Sequence, residues 1–181
     1  MTREEEIEHR LNLLVKFGAV ISKETNLKKL LELIAKQVEE ILCSERCSIF
    51  ILDEKSNELW SWVLTGITNS EIRIPLNRGI AGWVAQTGQS INVPDAYACD
   101  KFNPEIDKLT GFRTRNVLAV PLKNISGKTI GVFEVVNKKY GPFTEEDEGI
   151  LKLMGFLASG AIENAQLYEY LYQSQLETIY R

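Results

Sequence analysis

The spacing of apolar residues changes twice along this chain, and those two changes limit the folds that it can adopt. Up to residue 42 apolar residues recur at helical spacing, and from 46 to 137 they occur in short strand-like runs. From Thr144 to Arg181 helical spacing returns without a proline. Consecutive strands joined by turns pair antiparallel, because parallel pairs need long crossovers. The order of segments therefore predicts an α+β fold, with one mostly antiparallel sheet of about six strands and the terminal helices on one face.

Two helices are predicted before the first strand, and their apolar faces differ in width. The segment 2–22 carries apolar or small residues at spacings of 4, 3, 4 and 3, a heptad seam typical of a helix that pairs with another helix. The segment after Asn26, a candidate N-cap, has the broader apolar face of a helix that packs on a domain. The seam residues are Ile7, Leu11, Leu14, Gly18 and Ile21.

The central part of the chain predicts strands around one irregular segment. Pro75 and Pro94 lack an N–H group, which places their strands at sheet edges. A short helix is predicted between Gly79 and Gly88, and residues 95–114 lack a clear period, as in a lid or binding loop with short helical turns. The runs that predict strands are 47–52, 59–64, 72–76, 91–94, 117–122 and 129–136.

The C-terminal segment predicts one long helix. Thr144 is a candidate N-cap, and the four acidic residues that follow suit the positive end of a helix dipole. At 1.5 Å per residue, a helix over 145–181 would be about 55 Å long, so its outer half extends past a compact domain. Its seam again alternates spacings of 3 and 4, through Met154, Leu157, Ala161, Asn164, Tyr168, Leu171 and Gln175.

Charge and cysteine content exclude several classes of protein. The net charge is −4 and no block of Lys and Arg stands out, so we expect no nucleic-acid partner. No apolar run approaches the ~20 residues of a membrane span, and the charged start is not a signal peptide. Three cysteines argue against a disulfide framework, and a single histidine makes a metal site improbable. We therefore expect a cytoplasmic chain without membrane contact, metal or cofactor.

The residues also argue against catalysis. His9 is alone in a charged helix, so no nucleophile has a histidine base, and no P-loop or metalloprotease motif occurs. Cys99 lies beside Asp100 and Lys101, and we expect it to be an unreactive thiol rather than a thiolate nucleophile. We expect Cys43 and Cys47 to be core residues. The sequence thus predicts a chain that is not an enzyme.

Two segments are candidates for ligand binding. Gly79 and Gly82 flank a helix start, where free backbone N–H groups can face an anion, although a plain helix start has the same pattern. The segment 107–115 mixes hydroxyls, a carboxylate and cations, as suits a heteroatom-rich small molecule or a solvated loop.

Five blocks in this order resemble a GAF domain: 46–53, 71–75, 79–85, 91–97 and 110–116. The chain is similar more narrowly to the cyclic-nucleotide-binding GAF domains of mammalian phosphodiesterases and cyanobacterial adenylyl cyclases. Their Asn-Lys…Phe-x-x-x-Asp-Glu signature is matched by Asn137, Lys138, Phe143, Asp147 and Glu148. The resemblance implies a GAF-like (PAS-like) fold over 25–165, preceded by a signalling or dimerisation helix over 1–24 and followed by a connector helix over 166–181.

The resemblance also implies a binding site. Arg46 and Ser48 would lie at the base end of the pocket, and the backbone N–H groups of Ile80 and Ala81 would bind the cyclic phosphate. Further contacts would come from Asp107, Thr110 and Thr114 in the loop and from Glu134 on the last strand. In the family, the counterparts of Lys138 and Asp147 form a salt bridge that supports the fold.

The resulting functional hypothesis is a regulatory sensor that binds cAMP or cGMP. Thr65 stands where some guanine-binding members carry a carboxylate, which favours cAMP slightly. Heptad seams in both terminal helices favour a homodimer that relays the bound state to an output domain or partner protein. Two alternatives remain: a GAF scaffold that binds another ligand or none, and a cysteine-dependent enzyme similar to the free methionine sulfoxide reductases or a bilin-binding domain.

Overall fold

One antiparallel sheet lies at the centre of the computed structural model, which describes residues 2–61 and 71–179. Its strands are β1 (Ser44–Asp53), β2 (Glu58–Ser61), β3 (Ile72–Pro75), β4 (Ile91–Val93), β5 (Val117–Lys123) and β6 (Thr129–Lys138). They pair in the order β3-β2-β1-β6-β5-β4. The edge positions predicted from Pro75 and Pro94 are confirmed, since β3 and β4 are the outer strands.

Five helices accompany these strands within the described residues. They are α1 (Arg3–Ile21), α2 (Leu27–Leu42), α3 (Gly79–Thr87), α4 (Glu105–Thr110) and α5 (Glu145–Ile179), with a 3₁₀ turn at Ala96–Ala98. Both predicted N-caps are confirmed: the Asn26 side chain accepts from Lys29 N at 3.0 Å, and Thr144 Oγ1 accepts from Asp147 N at 3.2 Å. The α+β class and the long C-terminal helix are therefore as predicted.

The two faces of the sheet are covered differently. α2 packs on β1 and on α5, and α5 packs on β5, so these helices close one face over the larger apolar core. We call this the helical face. On the other face, which we call the lid face, α3 packs against β5 and β6 above a smaller apolar cluster. The segment 95–116, which we call the lid, completes that side.

Strand alternation divides the residues of β1 and β6 between these faces. Cys47 and Ile49 of β1 and Phe133 of β6 point into the helical-face core. Their neighbours Ser48 and Glu134 face the opposite way and are paired in register across the two strands. One apolar and one mixed polar surface therefore arise from the same two strands.

α1 and α5 run parallel and pack against each other. Arg10 forms an ion pair with Glu146 at one end, and Gly18 contacts Leu157 further along both helices. The α1 seam is consequently split, because its last member, Ile21, is buried, whereas Ile7 and Leu11 remain exposed. On α5 the seam begins with buried Met154, and Ala165 is the last buried residue before an exposed stretch to 179.

The structure corrects one prediction and extends another. Cys43 is not a core residue: it ends α2 in the left-handed conformation (φ 51°) with its side chain exposed. Its N–H donates to the carbonyls of Glu39 and Glu40, so the helix end dictates its position. β1 begins at Ser44, earlier than predicted. The rest of the second predicted strand, residues 62–64, and Thr65 lie outside the described residues.

Candidate functional site

A cavity lies on the lid face, between the sheet, the start of α3 and the lid. It holds about 780 Å³ of empty space, counting its mouth open to solvent. Seven of the eight residues predicted to bind ligand line it: Arg46, Ser48, Ile80, Ala81, Asp107, Thr114 and Glu134. The eighth, Thr110, ends α4, and its side chain lies outside the described parts.

The sheet contributes a floor with both polar and apolar groups. Arg46, Ser48 and Phe50 alternate with the core residues of β1, and Glu134 and Val136 do so on β6. Ser48 lies directly opposite Glu134 in the ladder. A ligand on this floor would meet a hydroxyl and a carboxyl side by side.

Glu134 is the most strongly perturbed acid that faces the cavity. Burial raises its pKa from 4.5 to about 7, because desolvation disfavours the ionised form. Within the described residues no hydrogen bond or ion pair offsets that cost. The group can therefore donate or accept a proton near neutral pH, and its oxygens are available to a ligand.

The start of α3 lines the cavity, so the backbone N–H groups of its first turn lie beside it. The N-cap, Arg78, makes no side-chain capping hydrogen bond, so among the described residues the amides of the first turn lack a capping side chain. Gly79 has φ +71°, which favours glycine, and a Cβ at Gly82 would lie 2.4 Å from the Leu76 carbonyl oxygen. Both glycines are thus required for this turn, and the positive end of the helix dipole faces the cavity beside buried Ile80 and Ala81.

The lid is held by Asp107. Its carboxylate accepts from Tyr97 Oη at 2.9 Å, from Thr114 N at 2.7 Å and from Thr114 Oγ1 at 2.7 Å. A carboxylate offers about four acceptor positions, so three are already used within the protein. Asp107 lines the cavity, and its described contacts are those of a residue that closes the lid.

One cation–aromatic stack joins the lid to β1, and a second lies within the lid. The Arg46 guanidinium lies 3.7 Å from the centre of the Phe112 ring, and that of Arg113 lies 3.8 Å from the centre of the Tyr97 ring. Sequence reasoning named no function for Phe112, although it lies in one of the matched blocks. It also missed the lining residues Ile74, Arg78, Phe102, Asn103 and Ile106. Phe102 and Ile106 could have been predicted to line a cavity, because they are apolar side chains in an otherwise polar loop.

The signature residues connect the lid to α5. Asn137 is fully buried at φ +59°; it accepts from Arg115 N at 2.7 Å and donates to Glu45 Oε2 at 2.9 Å and to Arg113 O at 2.8 Å. Desolvation opposes ionisation of Glu45, but hydrogen bonds from Asn137 and Arg115 prevail and lower its pKa.

The next signature residue, Lys138, forms a partly buried ion pair with Asp147 in the first turn of α5. Asp147 also accepts from Thr144 N at 2.7 Å. Phe143 is buried in the helical-face core, and Glu148 accepts from Ser90 Oγ at 2.6 Å. Together with Asn137, these contacts tie the end of β6 to both the lid and the C-terminal helix.

The described residues offer little redox or metal chemistry. None of the three cysteines is among the described residues that line the cavity, and burial raises the pKa of the Cys47 thiol. Over 2–61 and 71–179, no group of three or more His, Cys, Asp or Glu residues could hold a metal ion. In the same residues no helix is both long and apolar enough to cross a bilayer.

Comparisons with known proteins identify relatives of this chain and agree with its fold. The dual 3',5'-cyclic-AMP and -GMP phosphodiesterase 11A of Takifugu rubripes is 36% identical over 138 residues, which cover 69% of this chain and 15% of that protein. The dual phosphodiesterase 11 of Drosophila melanogaster is 36% identical over 174 residues, 87% of this chain and 12% of that protein. This chain therefore spans less than a fifth of the length of either relative.

Solved structures support the same fold. The GAF domain from an Acinetobacter phosphoenolpyruvate-protein phosphotransferase superposes with a TM-score of 0.76 and covers 90% of this chain and 98% of its own, at 23% identity. The family model of the GAF domain matches residues 26–162, well over half of the chain. On that match, and with a sheet and helices that agree, the chain belongs to the GAF domain family.

Proposed function

We propose that this chain is a regulatory sensor that binds a cyclic nucleotide, with cAMP favoured over cGMP. The observation that carries the proposal is the lid-face cavity, which brings an uncapped helix start together with Ser48 and Glu134 on its floor. The two relatives are named for both cyclic nucleotides, which supports the ligand class.

The chemistry of the cavity walls suits the parts of such a ligand. An anionic phosphate would bind the N–H groups at the start of α3, where the helix dipole is positive. A purine ring would lie against apolar surface such as Phe50 and Ile74, and Ser48 and Glu134 offer hydrogen bonds. The preference for cAMP rests on Thr65, because without a carboxylate there the N1–H and amino groups of guanine would lose a charged acceptor.

A continuous set of contacts would carry the bound state from the cavity to α5. Asp107 holds the lid through Thr114, the following residues hydrogen-bond to Asn137, and Lys138 pairs with Asp147 on α5. Ordering of the lid by ligand would therefore bias the position of the helix. The output would be a domain outside this chain or a partner protein, as befits a chain that spans a small part of its relatives.

Homodimerisation through the terminal helices is part of the proposal. Ile7, Leu11 and Val15 form an exposed apolar stripe on α1, and Tyr168 and Leu171 are exposed on α5. Sedimentation of the unaltered chain should show a dimer, and Leu11→Glu with Val15→Glu should shift it towards monomer. Lys16→Glu, which introduces the same side chain on that helix off the stripe, should leave the dimer intact. A monomeric unaltered chain would remove this part of the proposal.

Titration calorimetry on refolded protein tests the ligand. We expect saturable binding of cAMP, weaker binding of cGMP, and little binding of 5'-AMP, whose acyclic phosphate has a different shape and charge. Ser48→Ala should weaken cAMP binding by about tenfold through loss of one hydrogen bond, and Thr110→Ala should also weaken it.

The matched control is Ser44→Ala on the same strand, since Ser44 lies outside the described cavity lining and its hydroxyl has no hydrogen-bond partner among the residues that the structure describes. It should bind cAMP as the unaltered chain does. If a folded sample gives no heat with either cyclic nucleotide, the proposal of a cyclic-nucleotide sensor fails. The alternative of a GAF scaffold that binds another ligand or none then replaces it. The cysteine-dependent alternative lacks a supporting observation, since no cysteine lies among the described lining residues.

A further inference from the structure

An ion pair joins Arg78, which lines the cavity, to the lid. Arg78 immediately precedes α3, and Glu105 is the first residue of α4 in the lid. Arg78 Nη1 lies 3.0 Å from Glu105 Oε2, and Asn103 Nδ2 donates to the same oxygen at 3.3 Å. Both charged side chains are more than half exposed. The pair thus connects the helix start that would bind an anion to the segment that would close over it.

Arg78 is the cation best placed to meet an anion at this helix start. The described residues that line the cavity include two arginines, Arg46 and Arg78. Arg46 is stacked on Phe112, whereas Arg78 adjoins Gly79, Ile80 and Ala81. A guanidinium beside free amides makes a stronger anion site than either group alone, because it adds charge and paired donors to the helix dipole.

The partner that Arg78 has in the described structure is weakly held. Exposed ion pairs contribute little to stability, since water and salt screen them and ordering two long side chains costs entropy. A phosphate bound at the α3 start would sit in a less exposed place, where a charge-assisted hydrogen bond is stronger. Exchange of one anionic partner for the other is therefore favourable once ligand is present.

We propose that Arg78 binds the phosphate of the ligand and that Glu105 competes with that phosphate for the same guanidinium. The proposal rests on the proposed function, because it needs an anionic ligand at the α3 start. Glu105 then acts as an internal anion that lowers the affinity for an anionic ligand, whereas a neutral ligand does not compete with it for Arg78. The two residues should have opposite effects on binding when each loses its charge.

Titrations with cAMP and with adenosine, which lacks the phosphate, test this assignment. Arg78→Gln should weaken cAMP binding by at least tenfold and leave adenosine binding unchanged. Glu105→Gln should strengthen cAMP binding by about threefold, again without effect on adenosine. In the double variant the gain in cAMP affinity from Glu105→Gln should disappear, because the guanidinium of Arg78 that Glu105 pairs with is absent.

Arg73→Gln is the matched control, since Arg73 is also an exposed arginine in ion pairs but lies outside the described cavity lining. It should bind both ligands normally. If cAMP binds the unaltered chain but Arg78→Gln changes its affinity by less than twofold, or weakens adenosine equally, this inference fails and the proposed function stands. Weaker cAMP binding by Glu105→Gln would also overturn it. If the unaltered chain binds no cAMP, the proposed function fails, and this inference fails with it.

Discussion

The two faces of the sheet are built from the same strands but are closed by different means. On the helical face, long helices bury side chains such as Phe17, Ile34 and Phe133 completely. On the lid face, α3 packs over a smaller apolar cluster, and α4 and the irregular segment are held by polar contacts around Asp107 and by cation–aromatic stacks. The comparison teaches that one side of this sheet can supply stability while the other keeps room for a ligand.

Removing a large aromatic side chain from each face should produce the largest difference in the free energy of unfolding. Phe133→Ala should lower the free energy of unfolding by about 3–5 kcal/mol, because it opens a void in a closed core. Phe102→Ala on the lid should cost about 1–2 kcal/mol, since that ring is partly exposed beside an existing cavity. Urea denaturation measures both. Equal losses would mean that the lid face contributes to the core as much as the helical face does.

The second prediction concerns the acid under the lid. Unfolded Glu134 titrates near 4.5, whereas burial raises the pKa of the folded group to about 7. Between these values the folded protein holds a proton that the unfolded chain has released, so the contribution of Glu134 to stability is most favourable below pH 4.5 and declines up to about pH 7. The full shift corresponds to about 3 kcal/mol.

Glu134→Gln should therefore be more stable than the unaltered chain at pH 8, by up to about 3 kcal/mol, and similar to it at pH 4.5. Urea denaturation at the two pH values without ligand checks this. Glu40→Gln, a change at an exposed glutamate of α2, provides the control and should show no such gain. A Glu134→Gln variant without a gain at pH 8 would show that water reaches the carboxyl and that this face is wetter than its burial indicates.

The smallest effect is expected from loosening the lid alone. Asp107→Asn replaces an acceptor of three hydrogen bonds by an amide that accepts fewer, at a cost of about 1–2 kcal/mol to local closure. Hydrogen exchange should become about tenfold faster for amides over 96–114 and stay unchanged in α2. Asp100→Asn, at an exposed aspartate of the same segment, should change neither region. Faster exchange across α2 would show that the two faces unfold as one unit.

The sequence predicted the elements better than their contacts. Strand alternation, N-caps at Asn26 and Thr144 and edge prolines are local signals, and the structure contains each of them. Seven residues that the family resemblance implied for the site line the cavity, and alternation along β1 and β6 explains why their members on these strands share a face.

Contacts between distant segments could not be predicted in the same way. The burial of the Asp107 carboxylate depends on Tyr97 and Thr114 reaching it from other parts of the lid, which no spacing reveals. The division of the α1 seam into a buried and an exposed part could not be predicted either, because it depends on how α1 packs on α5. Cys43 was misplaced because a small apolar residue at a helix end resembles a core residue until the left-handed turn is known.

The length of α5 has a mechanical consequence. Beyond Ala165, its last buried residue, the described helix continues for 14 residues to Ile179, a rod of about 21 Å. A tilt of about 5° where the helix leaves the domain would displace the far end of that rod by about 2 Å. Its base carries Asp147, the ion-pair partner of Lys138. The helix can thus act as a lever that converts small rearrangements near its base into larger movements at its tip.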